Sequence, residues 1–421
     1  MFRKTFRLIC LILIPLTFIM GCSIGGGDKQ KEEKITLTLW YWNRSIDDDL
    51  LKRVEDQFPH IDLRAEKIGG DFKAKLMSAF AARSGAPDIV GLNDWVADFF
   101  PNKEQFYNLY DLGSKEIEPL YLDWKWQQGV TPDGYQIALP MDTGPTALFY
   151  REDIFREVGL PTDPAEVSSL LATWEDYIDA GIKIRDATNG EVYLVDNLKN
   201  VFTQMLGQGT RIFFNTSDEF IGDQEHVKRA WDTAAKMNEE DLSAGVDSWS
   251  TEWNGAMNNG DVATFIGAVW AKQILMDAAP NSAGQWRIAK APGGNGNNGG
   301  SFIAIPKQSK HPEEAFEVIK WLMNPENQLN SLVTYNLFPS TPSIFDDPKM
   351  SQPEPFFGDQ KTNEYFIESA LNIQAAYFGP KHSIARSIFD QGIDSMDKQN
   401  ASPDKAWKDA LERIEKELLL Y

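Results

Sequence analysis

The residue types that could carry catalysis are abundant in this chain, but their spacing does not assign them a reaction. The sequence holds 62 acidic residues, so a carboxylate pair for glycoside hydrolysis could be chosen anywhere in it. It lacks a His-Glu-x-x-His zinc motif and a Gly-x-x-x-x-Gly-Lys phosphate loop. Its four histidines are scattered: His60, His226, His311 and His382. We therefore expect no catalytic residue, no metal site and no cofactor, and we keep a secreted glycosidase as the weaker alternative.

One residue near the start of the chain, Cys22, does have a defined chemistry. Residues 1–7 carry three basic residues and no acid, and residues 8–20 form an apolar run shorter than the about 20 residues that a bilayer requires. The Gly-Cys pair after this run resembles the lipobox of bacterial lipoproteins, in which the cysteine is acylated, with palmitate among the acyl chains, and becomes the first mature residue. We predict a signal peptide over 1–21, lipid attachment at Cys22 and a Gly-rich, charged tether over 22–34.

Length and composition restrict the rest of the chain. A chain of 421 residues is too long for one typical hydrophobic core, so two lobes are expected. The net charge of −21 argues against a nucleic-acid ligand. The chain contains 13 Trp, and the flat face and single N–H donor of tryptophan suit the apolar faces and hydroxyl edges of sugar rings. Core packing is the alternative for each of them.

The elements that would position a ligand site alternate between strand and helix. Short strands are predicted over 35–40, 61–65 and 87–92. With helices between them, this order predicts a mainly parallel sheet wrapped by helices. Ligands bind beyond the carboxyl ends of such strands. The loops at those ends, 41–45 and 93–98, each carry tryptophan and polar side chains.

Further signals mark helix ends and passages between lobes. Ser45 and Thr173 are predicted N-caps. Two short extended pieces around 142–145 are what a crossing between lobes would require. Later segments predict strands over 260–270 and 301–306, and helices from 311 and over 402–420.

Four blocks of the sequence, taken in order, resemble the extracellular solute-binding proteins of sugar ABC importers, the group that includes maltose-binding protein. The blocks are Gly85-Ala-Pro-Asp-Ile-Val, the stretch from Leu139-Pro through Phe149-Tyr-Arg-Glu-Asp-Ile-Phe to Gly159-Leu-Pro, the strand from Gly260-Asp-Val-Ala to Trp270, and Gly299-Gly-Ser-Phe-Ile-Ala-Ile-Pro-Lys with the helix after it. No block is specific alone, but their order and spacing span nearly the whole chain after residue 34.

The resemblance implies a fold of two α/β lobes joined by crossing strands, with a ligand clamped in the cleft between them and no catalysis. Each lobe would be discontinuous. The first would comprise 35–142 plus 302–337, and the second 143–301 plus 338–421. An open form would bind the ligand and close over it, and the closed form would dock on a permease.

The resemblance also implies which residues touch the ligand. They are Trp42, Asn43, Arg44, Asn93, Asp94, Trp95, Asp142, Thr143, Trp270, Gly299 and Gly300. The tryptophans would stack on sugar rings, and the charged and amide side chains would bind hydroxyl pairs. Packing is the alternative for each tryptophan, a turn cap for Asp142, a cap of the following helix for Asp94 and a solvated loop charge for Arg44. Relatives often place an acid just inside the hinge, where this chain has Gly144 and Pro145, so the role of Asp142 is open.

The partners follow from the same resemblance. We expect a carbohydrate ligand, and specifically an oligosaccharide, because three candidate stacking tryptophans are spread over two lobes. Two permease subunits in the membrane and a cytoplasmic ATPase would receive it. The lipid would hold a monomer at the outer face of the membrane of a Gram-positive cell, where no outer membrane retains the protein. A peptide, a polyamine or a metal ion in the same fold is the alternative ligand.

Overall fold

The computed structural model describes residues 34–420. The predicted signal peptide, Cys22 and all but the last residue of the predicted tether lie outside this range, so those interpretations stay predictions. Within the described range, no helix is both long enough and apolar enough to pass through a bilayer.

Strands and helices alternate along the described chain, as the sequence predicts. The strands are β1 (Ile35–Tyr41), β2 (Ile61–Lys67), β3 (Ile89–Leu92), β4 (Ala138–Pro140), β5 (Asp142–Thr143), β6 (Thr146–Arg151), β7 (Thr264–Ala268), β8 (Trp286–Ala289), β9 (Phe302–Ala304) and β10 (Phe338–Pro339). The helices are α1 (Asp48–Lys52), α2 (Val54–Gln57), α3 (Phe72–Ala82), α4 (Asp123–Gln127), α5 (Glu152–Glu157), α6 (Pro164–Leu170), α7 (Trp174–Ala187), α8 (Leu198–Gly207), α9 (Glu225–Glu239), α10 (Thr251–Asn259), α11 (Ala271–Ala278), α12 (Pro312–Leu322), α13 (Pro325–Tyr335), α14 (Asn363–Asn372), α15 (His382–Gln399) and α16 (Pro403–Leu418). A run of 3₁₀ turns over Asp94–Gln105 follows β3.

A five-stranded sheet in the order β2-β1-β3-β9-β4 forms the centre of the first lobe. Strand β1 runs parallel to β2 and β3, which confirms the predicted βαβαβ unit. Strand β9 runs antiparallel to both β3 and β4, so the prediction of a mainly parallel sheet is wrong for this half of the sheet. The reason is connectivity, because the chain leaves this sheet on β4 and re-enters it on β9, and no βαβ crossover holds them parallel to their neighbours.

The second lobe is built on a three-stranded sheet in the order β7-β6-β8. Both pairings are antiparallel, in contrast to the parallel pairings of β1 in the first lobe. Alternate residues of β6 face different cores, as the two-residue period of a strand requires. Leu148 and Tyr150 pack into one cluster, and Ala147 and Phe149 pack into the other. The sheet is therefore buried on both faces.

A short pairing joins the two lobes. Strand β5 follows β4 after one residue and pairs antiparallel with β10. The N–H of Met141 donates to the carbonyl oxygen of Ser301 at 2.9 Å. The predicted crossing around 142–145 therefore begins with β5. Leu122 and Leu329, which the predicted boundaries assign to the first lobe, pack into a core of the second, and the boundaries stay predictions.

Capping side chains explain where several helices begin. Thr173 caps α7 in a reciprocal capping box with Asp176, which confirms the predicted cap. The prediction for Ser45 is wrong, because Asp47 caps α1 by accepting a backbone N–H of the first turn. A carboxylate also complements the positive end of the helix dipole. The hydroxyl of Ser45 instead accepts the N–H of Trp42 at 3.1 Å.

Helix α15 brings the second lobe against the first. Its apolar face is buried in a second-lobe core and consists of Ala385, Ile388, Phe389, Ile393 and Met396. The ring of Phe389 stacks on Phe213, with 5.1 Å between the ring centroids. The opposite, polar face of α15 borders the space between the lobes. One amphipathic helix thus completes a core and forms one wall of that space.

Phe389→Ala should lower the free energy of unfolding by about 3–5 kcal/mol, because truncating a fully buried ring leaves a cavity among packed aromatics. The measurement is urea unfolding followed by circular dichroism. Met77→Ala is the control, because that side chain is 53% exposed and its loss should change stability by less than about 0.5 kcal/mol. Equal losses in the two variants would contradict the packing of α15.

Candidate functional site

Four cavities adjoin the space between the lobes, and Arg386 lines three of them, named below the inner, middle and outer cavities. The inner cavity, of about 260 Å³, is lined by Val96 and Phe100 of the first lobe and by Leu206, Phe213 and Tyr377 of the second. Its wall is mainly apolar, and three of these five side chains are aromatic. Such a lining suits the apolar face of a ligand ring.

The middle cavity, of about 400 Å³, is more polar. It lies between Asp94, Trp95 and Asp98 of the first lobe and the face of α15 that carries Arg386 and Asp390. Carboxylates and a guanidinium can each make two hydrogen bonds to one partner. This cavity therefore offers hydrogen-bond partners for several ligand hydroxyls.

The outer cavity, of about 310 Å³, is formed by the second lobe alone. Its lining includes Asn200, Asp247, Trp249 and Trp270. The two tryptophan rings meet edge to face, with 5.5 Å between their centroids. Lys199 also lines this cavity and donates to the Asp247 carboxylate at 3.0 Å. The outer cavity thus combines aromatic faces with a paired charge.

The structure brings some of the predicted ligand residues into these cavities. Asp94 borders the inner and middle cavities, Trp95 the middle one, Trp270 the outer one and Gly299 the inner one. Trp95 is half-buried, and the amine of Lys73 lies 5.5 Å from its ring centroid. The indole N–H of Trp270 donates to the Asn298 carbonyl oxygen at 3.1 Å, so its ring rather than its N–H is available to a ligand.

Four other predicted residues do not line these cavities. Trp42 packs edge to face on Phe72, with 5.4 Å between the ring centroids. Asn43 is exposed, and Asn93 precedes the 3₁₀ run. Arg44 forms an ion pair with Asp277 of α11, which belongs to the second lobe. The first loop of the first lobe therefore contacts the other lobe directly.

Asp142, Thr143 and Gly300 lie in the hinge. One carboxylate oxygen of Asp142 accepts the N–H of Ser301 at 2.6 Å, and Asp142 is only 6% exposed. The hydroxyl of Thr143 lies 3.4 Å from the carbonyl oxygens of Phe338 and Pro339. These polar groups are occupied by protein partners and hold the crossing segments together.

A buried lysine stands beside this hinge carboxylate. Lys125 is fully buried, its amine lies 3.7 Å from the ring centroid of Phe302, and it donates to the side chain of Gln128 at 3.4 Å. Burial lowers the pKa of the Lys125 amine to about 7, against the attraction of Asp142 and Asp94. Burial likewise raises the pKa of Asp142, against the attraction of Lys125.

The hinge geometry explains why glycine stands at position 144. A Cβ at this position would lie 2.0 Å from the carbonyl oxygen of Asn298, so any side chain would force the two segments apart. Gly300 is constrained in the same way, since its φ is +90° and a Cβ would lie 2.7 Å from the Lys125 amine. No acid can stand at position 144 in this packing.

The sequence interpretation missed the wall formed by Tyr377, Phe378 and α15. Arg386 lines all three cavities, and His382 lines the inner and middle ones. Burial and the nearby Arg386 lower the pKa of His382 to about 3. The Tyr-Phe pair just before Gly379 is a signal for this wall, because aromatic residues in a connecting loop are candidates for binding.

Comparison with known proteins identifies relatives of this chain. The model of a family described as bacterial extracellular solute-binding protein matches residues 49–357. The arabinooligosaccharide-binding protein of Halalkalibacterium halodurans is 22% identical over 396 residues, which cover 89% of this chain and 84% of the relative. A crystal structure of an extracellular solute-binding protein of family 1 superposes with a TM-score of 0.86 at 29% identity, over 91% of this chain and 99% of the other.

A second solved structure also covers nearly the whole of both chains. It is the binding protein associated with an ABC transporter of B. animalis subsp. lactis, in complex with β-1,6-galactobiose. Its TM-score is 0.73 at 24% identity, and the superposition covers 92% of this chain and 98% of that one. These structural similarities confirm the predicted two-lobed α/β fold.

Lys125 should make the stability of the protein rise with pH. Its pKa is about 7 in the folded state and near the ordinary lysine value in the unfolded chain. Between these values the unfolded chain holds a proton that the folded protein has lost, so the free energy of unfolding increases by on the order of 1 kcal/mol per pH unit.

Urea unfolding of the wild type and of Lys125→Met, between about pH 7.5 and about pH 9.5, tests this expectation. Methionine has a similar volume and carries no titratable group, so titrations common to both proteins cancel in the comparison. The wild type should gain stability with pH relative to the variant. Parallel pH dependences would contradict the shifted pKa of Lys125.

Proposed function

This chain belongs to the bacterial extracellular solute-binding protein family, and from that premise we propose that its solute is an oligosaccharide destined for the permease of an ABC importer. Membership of this family confirms the prediction of a binding protein rather than an enzyme. The observation that carries the carbohydrate proposal is the lining of the cavities, where aromatic faces alternate with carboxylate, amide and guanidinium groups. Sugar rings present the matching apolar faces and hydroxyl edges.

The relatives support the same ligand class. One of them is an arabinooligosaccharide-binding protein, and a structure of similar fold holds a β-1,6-galactobiose. The contacts we propose with the ligand are ring stacking on Trp95 and Trp270, and hydrogen bonds from Arg386 and to Asp94. Of these, Arg386 replaces the hinge residue Asp142 of the original prediction, because the Asp142 carboxylate is buried and already bonded to Ser301.

Closure of the two lobes over the ligand is the proposed mechanism. An ion pair between the lobes, formed by Arg44 and Asp277, stabilises the arrangement seen here. A ligand bound to both walls would favour this arrangement by the difference between its affinities for the closed and open forms.

The remaining proposals concern location and assembly. We propose that Cys22 carries a lipid that anchors a monomer to the outer face of a cell membrane, as in a Gram-positive envelope, and that 22–34 tethers the lobes to it. The support is the apolar segment and the Gly-Cys pair in the sequence. Permease subunits would receive the ligand from the closed form.

A thermal-shift screen tests the ligand class. The protein is residues 22–421 carrying Cys22→Ser, so that no lipid is attached, and the probes are mono- and oligosaccharides, amino acids, peptides, polyamines and metal ions. A ligand at 100 times its dissociation constant should add about 2.7 kcal/mol of stability. We expect the largest increase in melting temperature with an oligosaccharide series. An increase with a peptide, a polyamine or a metal ion and none with any sugar would overturn the proposal.

Tryptophan variants within the same experiment locate the binding site. Trp95→Ala and Trp270→Ala should each weaken sugar binding by roughly 1–3 kcal/mol, the cost of losing a stacked ring. Trp321→Ala is the matched control, because Trp321 packs on the first-lobe core beside Phe58 and Arg53. Its affinity for the sugar should not change.

The role of Arg44 can be decided by a double-mutant cycle. Because Arg44 pairs with Asp277 across the lobes, we expect Arg44→Ala, Asp277→Ala and the double variant to weaken ligand binding equally, by about fivefold or less. Isothermal titration with the sugar from the screen measures this. A larger loss for Arg44→Ala than for Asp277→Ala, with additive effects, would instead show direct contact between Arg44 and the ligand.

A further inference from the structure

The inner, middle and outer cavities meet at a single side chain. Arg386 lines all three of them. Each pair of cavities also shares a lining residue that does not line the third cavity. The inner and middle cavities share Asp94, the inner and outer cavities share Asn298, and the middle and outer cavities share Asp390. The site is therefore a three-way junction rather than a groove with two ends.

The terminal nitrogens of Arg386 can donate hydrogen bonds to a ligand. The Nε of Arg386 donates to the Asp390 carboxylate at 3.3 Å, which holds the guanidinium in place. Within residues 34–420, neither terminal nitrogen of Arg386 makes a hydrogen bond to the protein. These terminal groups can donate to ligand oxygens in more than one cavity at once.

The inner cavity differs from the two spaces that it adjoins. It is the most enclosed of the three, with Phe213 and Tyr377 in its mainly apolar wall. The middle and outer cavities both run along the polar face of α15 and share Arg386 and Asp390. The inner cavity also takes His382 and Arg386 from α15, but most of its wall comes from other segments, so a chain that follows the helix from the middle to the outer cavity passes beside it.

We propose that the ligand is a branched oligosaccharide, whose main chain lies along α15 in the middle and outer cavities and whose side unit enters the inner cavity at Arg386. A linear chain that follows α15 from the middle to the outer cavity leaves the inner cavity without a ligand group. A chain with a substituent at the junction fills all of them. This inference rests on the carbohydrate ligand proposed above.

Matched pairs of sugars with equal numbers of rings test the proposal. They are xylotetraose with arabinosyl-xylotriose, mannotetraose with galactosyl-mannotriose, and cellotetraose with xylosyl-cellotriose, each titrated calorimetrically into the unlipidated protein. In at least one pair the branched sugar should bind roughly tenfold or more tightly than its linear partner, since the side unit gains a fitted pocket. Equal binding, or tighter binding of the linear sugar, in every pair that binds would overturn the proposal.

A variant that fills the inner cavity locates the side unit. Thr216 is exposed and lines only this cavity among the three, so Thr216→Trp should remove the preference for the branched sugar and leave linear binding unchanged. Ser217→Trp is the matched control, because Ser217 is exposed in the same loop and lines none of them. A preference that survives Thr216→Trp would contradict the placement of the side unit. If none of the six sugars binds, this inference fails, whereas the carbohydrate proposal fails only if the thermal-shift screen also shows no response to any sugar.

Discussion

The hydrogen bond from the Ser301 N–H to the buried Asp142 carboxylate is the contact on which the arrangement of the lobes depends. It joins the segment that leaves the five-stranded sheet to the segment that returns to it. The pairing of β5 with β10 adds the third segment. A carboxylate buried without such a partner would be strongly destabilising, so the bond and the burial require each other.

The same constraint leaves little room in the hinge itself. Space there is filled by Lys125, by Gly300 and by the approach of Asn298 to Gly144. The polar groups that a ligand could use are therefore displaced outward, to the end of β3 and to α15. Helix α15 can serve as a wall because its opposite face is anchored by Phe389 in a core, so Arg386 is presented from a rigid element.

What the sequence could predict was local or shared by a family. The N-cap at Thr173 and the strands β1 to β3 follow from patterns within a few residues, and both are present. The direction of β9 and β4 could not be predicted, because it depends on how the chain passes between lobes. Nor could the partner of Arg44, since Asp277 lies 233 positions away in the sequence and no local pattern connects them. The placement of α15 at the cavities could not be predicted either. The amphipathic pattern of a helix indicates that one face is buried, but it does not indicate which part of the protein the other face borders.

The positions of the tryptophans, rather than their number, indicate which of them can bind a ligand. Trp126, Trp253 and Trp286 are fully buried, and each donates its indole N–H to a neighbouring side chain, at 3.1, 3.0 and 2.8 Å respectively. These rings stabilise cores and are closed to any ligand, so the count of 13 Trp alone says little about binding. Trp95 and Trp270 differ because each lies at the edge of a core and keeps part of its surface in a cavity. A ring in that position is fixed by packing on one side and open on the other. This is the condition under which a sugar can stack without first ordering the side chain.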